Sequence, residues 1–407
     1  MKQLKRLAVL TLLLCASLAL REARAQLRTD LIESERNNKE ANLTPETQPK
    51  AESDIESVEN SLPYRLVTGQ AHGLGIGFGS LVPGSGFAIG PRYLRPLRDG
   101  KVVLRVDARA AINESYLGRL QVSLPHLFDD HAFITFDTQH RDISEMPYYG
   151  SGPDSRKTGR SDYRLEDTYV ELRPGVRIYK GLSASLIGSY LAENVGPGHS
   201  TRYISTEQQF GPDAAPGINR QTDFWRGGGL VQFDWRDDPS KPTSGGKYSA
   251  QYLRYLDQNL SAFSFLRLDL DAVQYIPLLN HTRVVTLHAA SSLTTTQNGQ
   301  QVPFYLEPTL GGPDTLRGFR YERFYGNNSV MVNAEYRWFC SPILDMVAFS
   351  DAGKVFNRWE QWNFHNLESD VGFGLRFKGR TGSTLFSFDT GFSHEGFQLW
   401  FRVNNLI

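Results

Sequence analysis

Val102-Val103-Leu104-Arg105-Val106-Asp107-Ala108-Arg109-Ala110-Ala111-Ile112 alternates almost without a break. The even positions Val102, Leu104, Val106, Ala108, Ala110 and Ile112 are apolar, while Arg105, Asp107 and Arg109 put charge on the other face. A side-chain period of two belongs to a β-strand, because successive side chains leave opposite sides of the pleat. Leu266, Leu268, Leu270 and Ala272 alternate with Arg267, Asp269 and Asp271 in the same way. So do Val330, Val332, Ala334, Tyr336 and Trp338 against Asn333, Glu335 and Arg337, and Val371, Phe373, Leu375 and Phe377 against Gly372, Gly374 and Arg376. From Pro63 to Ile407 the period is two almost throughout, and long helical patterns are absent.

The length of these runs decides which face meets what. Strands of soluble sandwiches usually have about five or six residues. Here they run longer, with both signs of charge on one face and aromatic residues toward the ends of the other. That is the pattern of a transmembrane antiparallel β-barrel, apolar toward lipid and charged toward a wet lumen. A secreted β-sandwich or β-helix is the competing arrangement. About fifteen strands can be counted between Ser85 and Asn404. Bacterial barrels have an even number, so the glycine-rich stretch Leu66–Leu81 is expected to supply the sixteenth. Its Gly73, Gly75, Gly77 and Gly79 predict a weak first strand, and a possible lateral seam against Phe397, Leu399 and Phe401 of the last one. The stretches Asp142–Ser161, Gly196–Gln221 and Gln297–Asn327 are expected as surface loops, with short turns on the periplasmic side.

The N-terminus has the form of an export signal over residues 1–25. Lys2, Lys5 and Arg6 precede the apolar run Leu7–Leu20, and Ala23 and Ala25 stand at the −3 and −1 positions before Gln26. Leu14 ahead of Cys15 does not suit a lipidation motif, which needs a small residue there. Residues 26–62 hold four basic and nine acidic side chains and no aromatic one. Such a segment buries too little apolar area to offset its ordering entropy, so an acidic, disordered arm is expected. After the signal, Cys340 is the one cysteine left, which excludes an internal disulfide and reads as a small apolar filler at a strand end. From Pro63 onward 35 basic residues face 34 acidic ones, and no basic patch argues for nucleic acid.

One loop stands out: Gly311-Gly312-Pro313-Asp314-Thr315-Leu316-Arg317-Gly318-Phe319 combines turn residues with a lone arginine inside an apolar frame. Four further elements accompany it. They are Asp234-Trp235-Arg236-Asp237-Asp238-Pro239 with Pro242 and Gly245, Asn333-Ala334-Glu335-Tyr336-Arg337, Phe349-Ser350-Asp351-Ala352-Gly353, and Gly372-Phe373-Gly374-Leu375-Arg376-Phe377. In this order they resemble the Omp85 superfamily of outer-membrane assembly and translocation barrels, specifically the bacterial surface antigen barrel domain. The resemblance covers most of 63–407. It implies a barrel with a long loop folded into its lumen, and Leu316-Arg317-Gly318-Phe319 is similar to the family's loop-6 motif. It further implies that Arg317, with Gly318 and Phe319, tucks against Asp351, with Glu335 nearby. A guanidinium in a partly dry lumen needs a bidentate carboxylate, for which lysine is a poor substitute. Val347 and Phe349 share the face of Asp351, so that wall is not cleanly polar, and the chain finishes on Asn405-Leu406-Ile407 rather than the family's usual aromatic. Family members that assemble proteins carry POTRA domains ahead of the barrel. The 37-residue arm falls below the roughly 50 residues of a compact domain, which points to the short, POTRA-less members.

No phosphate-binding loop is present, and the nine histidines are scattered without metal-ligand spacing. His140, in phase with Ile134 and Phe136 beside Thr138, is expected to face outward as a strand-end polar residue. Trp359, Trp362, Tyr148 and Tyr149 read as interfacial or loop aromatics rather than a ligand cage. The expectation is a monomeric outer-membrane barrel without catalytic residues, metal or cofactor. Its partners would be outer-membrane lipids and periplasmic or membrane proteins that supply the receiving module. A pore or insertion/translocation component is the first reading; a passive diffusion channel and an adhesin-like anchor are the rivals.

Overall fold

The computed structural model describes residues 33–36, 72–83, 85–279, 282–379 and 384–403 of the 407-residue chain. The export signal and most of the acidic arm lie outside these residues; residues 33–36 of the arm form one helical turn.

The strands are β1 Leu74–Gly79, β2 Ala88–Leu97, β3 Val102–Ala111, β4 Tyr116–Leu127, β5 Ala132–Tyr148, β6 Ser161–Tyr179, β7 Leu182–Pro197, β8 Phe224–Asp234 and β9 Gly245–Asp257. They continue as β10 Phe265–Leu278, β11 Arg283–Thr296, β12 Thr309–Leu310, β13 Phe324–Tyr325, β14 Asn328–Ser341, β15 Leu344–Phe356, β16 Glu368–Lys378, β17 Thr384–Ser393 and β18 Gly396–Val403. Apart from the small hairpin β12–β13, they form one sixteen-stranded sheet in which each strand pairs antiparallel with its neighbour in sequence. It curls into a nearly closed barrel, with β1 beside β18.

The side-chain distribution inverts that of a water-soluble protein. Leu172, Leu186, Val231, Val332, Phe373 and Leu399 are exposed, whereas Asp107, Asp137, Asp142, Asp167, Asp351 and Asp389 are buried. Carboxylates are almost never buried unless paired. Here they are paired, as in Arg119 with Asp137, Arg164 with Asp142 and Arg141 with Asp167. An apolar exterior around a hydrogen-bonded, charged interior suits strands that cross a bilayer, because the ladders between strands satisfy backbone groups that lipid cannot. His140 lies on the outer face, bonded to Thr168 at 2.7 Å and to the exposed Tyr116 at 3.3 Å. Cys340 is exposed rather than a filler, because it shares the outward parity of Trp338 on β14.

The wall is uneven in height. A tilted strand of about 9–11 residues spans a bilayer, but β5, β6 and β7 have 17, 19 and 16 residues. Strands β5 and β6 therefore extend into the stretch Asp142–Ser161 expected as loop, leaving only 149–160 to connect them. Their surplus rises at the end of the barrel that carries the long connections 149–160, 198–223, 297–327 and 357–367. There it supports a dome. Tyr148 is fully buried, its ring 4.9 Å from those of Phe304 and Tyr325 and 5.0 Å from Phe210. Tyr148 is thus an interior residue rather than an interfacial one, because β5 carries it past the height of the wall and under the loops, and Tyr149 is a buried residue of the connection 149–160.

Candidate functional site

The connection 297–327 between β11 and β14 turns inward and is held at two ends by different chemistry. Its first half packs into the dome: Phe304 is fully buried between Tyr148 and Tyr163, with centroid separations of 4.9 Å. The chain then reverses at Gly311 and Gly312, whose φ angles of +109° and +107° favour glycine. That reversal drops residues 313–319 into the lumen.

There Arg317 meets the wall. Its Nε and Nη2 donate to the two oxygens of Asp351 at 2.9 and 2.8 Å, and its backbone N–H donates to Asp351 at 3.1 Å. Nη1 donates to Glu335 at 2.7 Å, and the guanidinium lies 3.5 Å from the Phe349 ring centroid. Asp351, on β15, is entirely buried, and Glu335, on β14, lies on the same interior face. Burial opposes the charge on Arg317, but the hydrogen bond and field of Asp351, supplemented by Glu335, raise its pKa above that of a free guanidinium. The fork geometry, two parallel N–H···O bonds with an aromatic face behind, is one that lysine cannot reproduce.

The backbone here fits because glycines clear space for it. A Cβ on Gly318 would lie 2.4 Å from the Cβ of Asp370, and one on Gly391 would lie 2.5 Å from the Arg317 carbonyl carbon. Gly372 makes room for the Phe349 ring, which would sit 2.3 Å from a Cβ there. Val347 and Phe349 are buried on this wall as well; Phe349 is the platform under the guanidinium. Phe319 is fully buried, packed edge-on to Phe324 at 5.1 Å.

The site continues through residues to which the sequence assigned no role. Glu335 also faces Arg376 at 3.5 Å, Arg376 pairs with Asp389 at 2.7 Å, and Asp389 pairs with Arg402 at 2.9 Å. Arg402 returns to the loop at Asp314, 3.0 Å away. Trp400 Nε1 donates to the Arg317 carbonyl at 2.7 Å, and the Ser393 hydroxyl donates to the Gly318 carbonyl at 2.8 Å. The loop is therefore tied to β14, β15, β17 and β18. A second buried arginine, Arg323, pairs with Glu395 at 2.8 Å and donates to the Ser155 carbonyl at 2.8 Å. The available signal was parity: Trp400 and Arg402 alternate with the outward Phe397, Leu399 and Phe401.

The seam residues fall on two faces. Gly75 and Gly77 of β1 are turned inward, where a Cβ on Gly77 would meet the Arg92 side chain at 2.3 Å. Gly79 ends that strand with φ +125°. Phe397, Leu399 and Phe401 of β18 point outward and are exposed. Strand β1 has six residues and β18 eight, and among the described residues they share no ladder hydrogen bond.

The chain matches the model of the Omp85 superfamily domain over residues 105–397. No curated protein sequence matches it. Among solved structures it is similar to BamA from Haemophilus ducreyi lacking POTRA domains 1-3, at 17% identity and a TM-score of 0.60, covering 81% of this chain and 69% of that one. It is also similar to CdiB from Escherichia coli, at 12% identity and a TM-score of 0.53, covering 81% of this chain and 60% of that one. The chain thus spans less than two thirds of that CdiB, and at these identities the likeness is one of fold.

Proposed function

Because the chain belongs to the Omp85 superfamily, we propose that it is an integral outer-membrane barrel acting as a pore or as an insertion/translocation component for protein or lipid. It performs no covalent chemistry of its own, and partner proteins supply the receiving module. In this reading the long-loop end faces outward and the short turns face the periplasm.

The observation that carries the proposal is the seam. Every other neighbouring pair in the sheet is laddered, whereas β1 and β18 lie side by side without a shared hydrogen bond among the described residues. Two short edges of this kind have unpaired backbone groups ready to accept another strand. Meanwhile the 297–327 loop occupies the lumen, which supports gated or lateral passage over free diffusion. Planar-bilayer recording of the full chain should give small, flickering conductance; a large, stable conductance would establish a passive channel instead. In proteoliposomes the chain should speed the folding of an urea-unfolded β-barrel client. A crosslinked cysteine pair on the outward faces of the seam strands, Ile76→Cys with Leu399→Cys, should abolish that acceleration. Undiminished acceleration in the crosslinked protein would rule out lateral opening.

A further inference from the structure

The outer wall holds a cavity of about 590 Å³ near the short-turn end of β4 to β8, its lining almost wholly apolar. The small outward residues Ala132 of β5, Ala184 of β7 and Gly229 of β8 leave room between larger ones. Phe128 and Leu186 stand proud beside them, 81% and 70% exposed, with Val231. The volume falls within the range of about 300–1,000 Å³ typical of small-molecule sites. Inside a bilayer such a hollow stays dry, because apolar walls offer water no hydrogen bonds. Left empty, it costs its lining the dispersion contacts of a close-packed interior, and a flexible hydrocarbon chain restores them.

Interfacial aromatics fix its depth. Tyr179 at the end of β6 and Trp235 just past β8 are exposed, and amphipathic rings of this kind sit at headgroup level. Val176 and Val231, which line the cavity, lie a few residues inside them. The hollow therefore opens just within the bilayer boundary.

Two neighbouring turns supply charge at that boundary. Asp129 belongs to the turn 128–131 between β4 and β5, and Lys180 to the turn 180–181 between β6 and β7. The Arg177 N–H donates to the His131 carbonyl at 2.8 Å, which sets the first turn beside the end of β6 that leads to the second. Asp130 is engaged by His126 and Arg177. Asp129 and Lys180 are exposed and have no hydrogen bond or ion pair among the described residues, not even with each other.

One free carboxylate and one free ammonium at the mouth of an apolar hollow match a headgroup that carries an ammonium and a phosphate above an acyl chain. An anionic headgroup would be repelled by Asp129, and the apolar face of another protein would leave both charges unpaired. A primary ammonium also donates hydrogen bonds to a carboxylate, which a quaternary one cannot. We propose that this hollow binds one phospholipid with a phosphoethanolamine headgroup, its acyl chain against Ala184 and Gly229, its phosphate at Lys180 and its ammonium at Asp129. The proposal rests on the reading of the wall as bilayer-spanning and goes beyond it by assigning one lipid to one place.

The test is native mass spectrometry of the full chain, reconstituted in liposomes of phosphatidylethanolamine and phosphatidylglycerol with the same acyl chains in equal amounts, then released in detergent. One phosphatidylethanolamine should stay bound per chain. Ala184→Phe, which fills the hollow from the lipid side, should abolish the retained adduct with heat-modifiable gel migration unchanged; Ala184→Leu is the milder filling if the ring disturbs folding. Asp129→Asn should lower the preference for phosphatidylethanolamine by about two- to fivefold, and Lys180→Ala should weaken retention of both lipids by a similar factor, the scale of an exposed ion pair. A preference for phosphatidylglycerol, an adduct that survives the filled hollow, or dimers in place of lipid adducts would overturn the proposal. A chain that does not insert into liposomes would overturn the bilayer reading and this proposal with it, whereas one that inserts but retains no lipid overturns this proposal alone.

Discussion

The two halves of the 297–327 loop are held by opposite means. In the dome, Phe304 is surrounded by aromatic rings on the tall wall β5–β7, and the stabilisation comes from removing apolar area from water. In the lumen, Arg317 is held by charge, on the strands that lead to the seam. Apolar packing tolerates a change of shape at graded cost, whereas a desolvated ion pair fails abruptly when one partner is lost. The stiff side of the barrel therefore holds the loop by fit, and the open side holds it by a few specific bonds.

Arg317→Ala should break this contrast most severely. It leaves Asp351 buried without its partner, a situation that costs about 3–5 kcal/mol, while Glu335 keeps Arg376. Heat-modifiable migration should shift to lower temperature, and Arg317→Lys should restore only part of it; an unshifted transition would mean that the pair bears no load. Phe304→Ala comes next, at about 3 kcal/mol for a large-to-small change in a packed cluster. Trypsin cleavage after Arg320 should accelerate in that variant by the same factor in low and high salt, and a strong salt dependence would show that the dome is electrostatic after all.

The pH response should separate the halves further. Glu307 has a folded pKa of about 8, against about 4.3 for a free glutamate. The folded chain thus keeps a proton that the unfolded chain has already lost. Its contribution is fully present below about pH 4.3, declines as pH rises, and is gone above the folded value. Protease resistance of the dome should therefore fall between pH 5 and 9, and Glu307→Gln should flatten that slope. The smallest effect is expected from Trp400→Phe, which removes one hydrogen bond to the Arg317 carbonyl and should cost about 1 kcal/mol. A double-mutant cycle of Trp400→Phe with Arg317→Lys would measure how far that bond depends on the guanidinium's seating.

The strands were legible because a lipid-facing wall imposes a strict period of two, and the even strand count placed β1 within the expected Leu66–Leu81. The pairing of Arg317 with Asp351 came from a resemblance rather than periodicity, since no local pattern links residues 34 apart in sequence. What stayed hidden was height. Nothing in the alternation of Ala132–Tyr148 marks where lipid ends and dome begins, so Tyr148 read as an interfacial or loop residue until its neighbours from two other connections were visible. The chain of charges through Arg376, Asp389 and Arg402 was hidden for a related reason. Each is an ordinary inward residue on its own strand, and only the pairing of β16, β17 and β18 links them from Glu335 to Asp314.

Asp351 and Asp370 stand directly opposite each other on β15 and β16, and like charges in that position repel. Nine other residue pairs hold β15 to β16 around that point, so the repulsion is local, and the Arg317 guanidinium bonded to Asp351 offsets it. The loop thus brings the wall a counter-ion that is part of the chain itself, one that salt or solvent exchange cannot carry away.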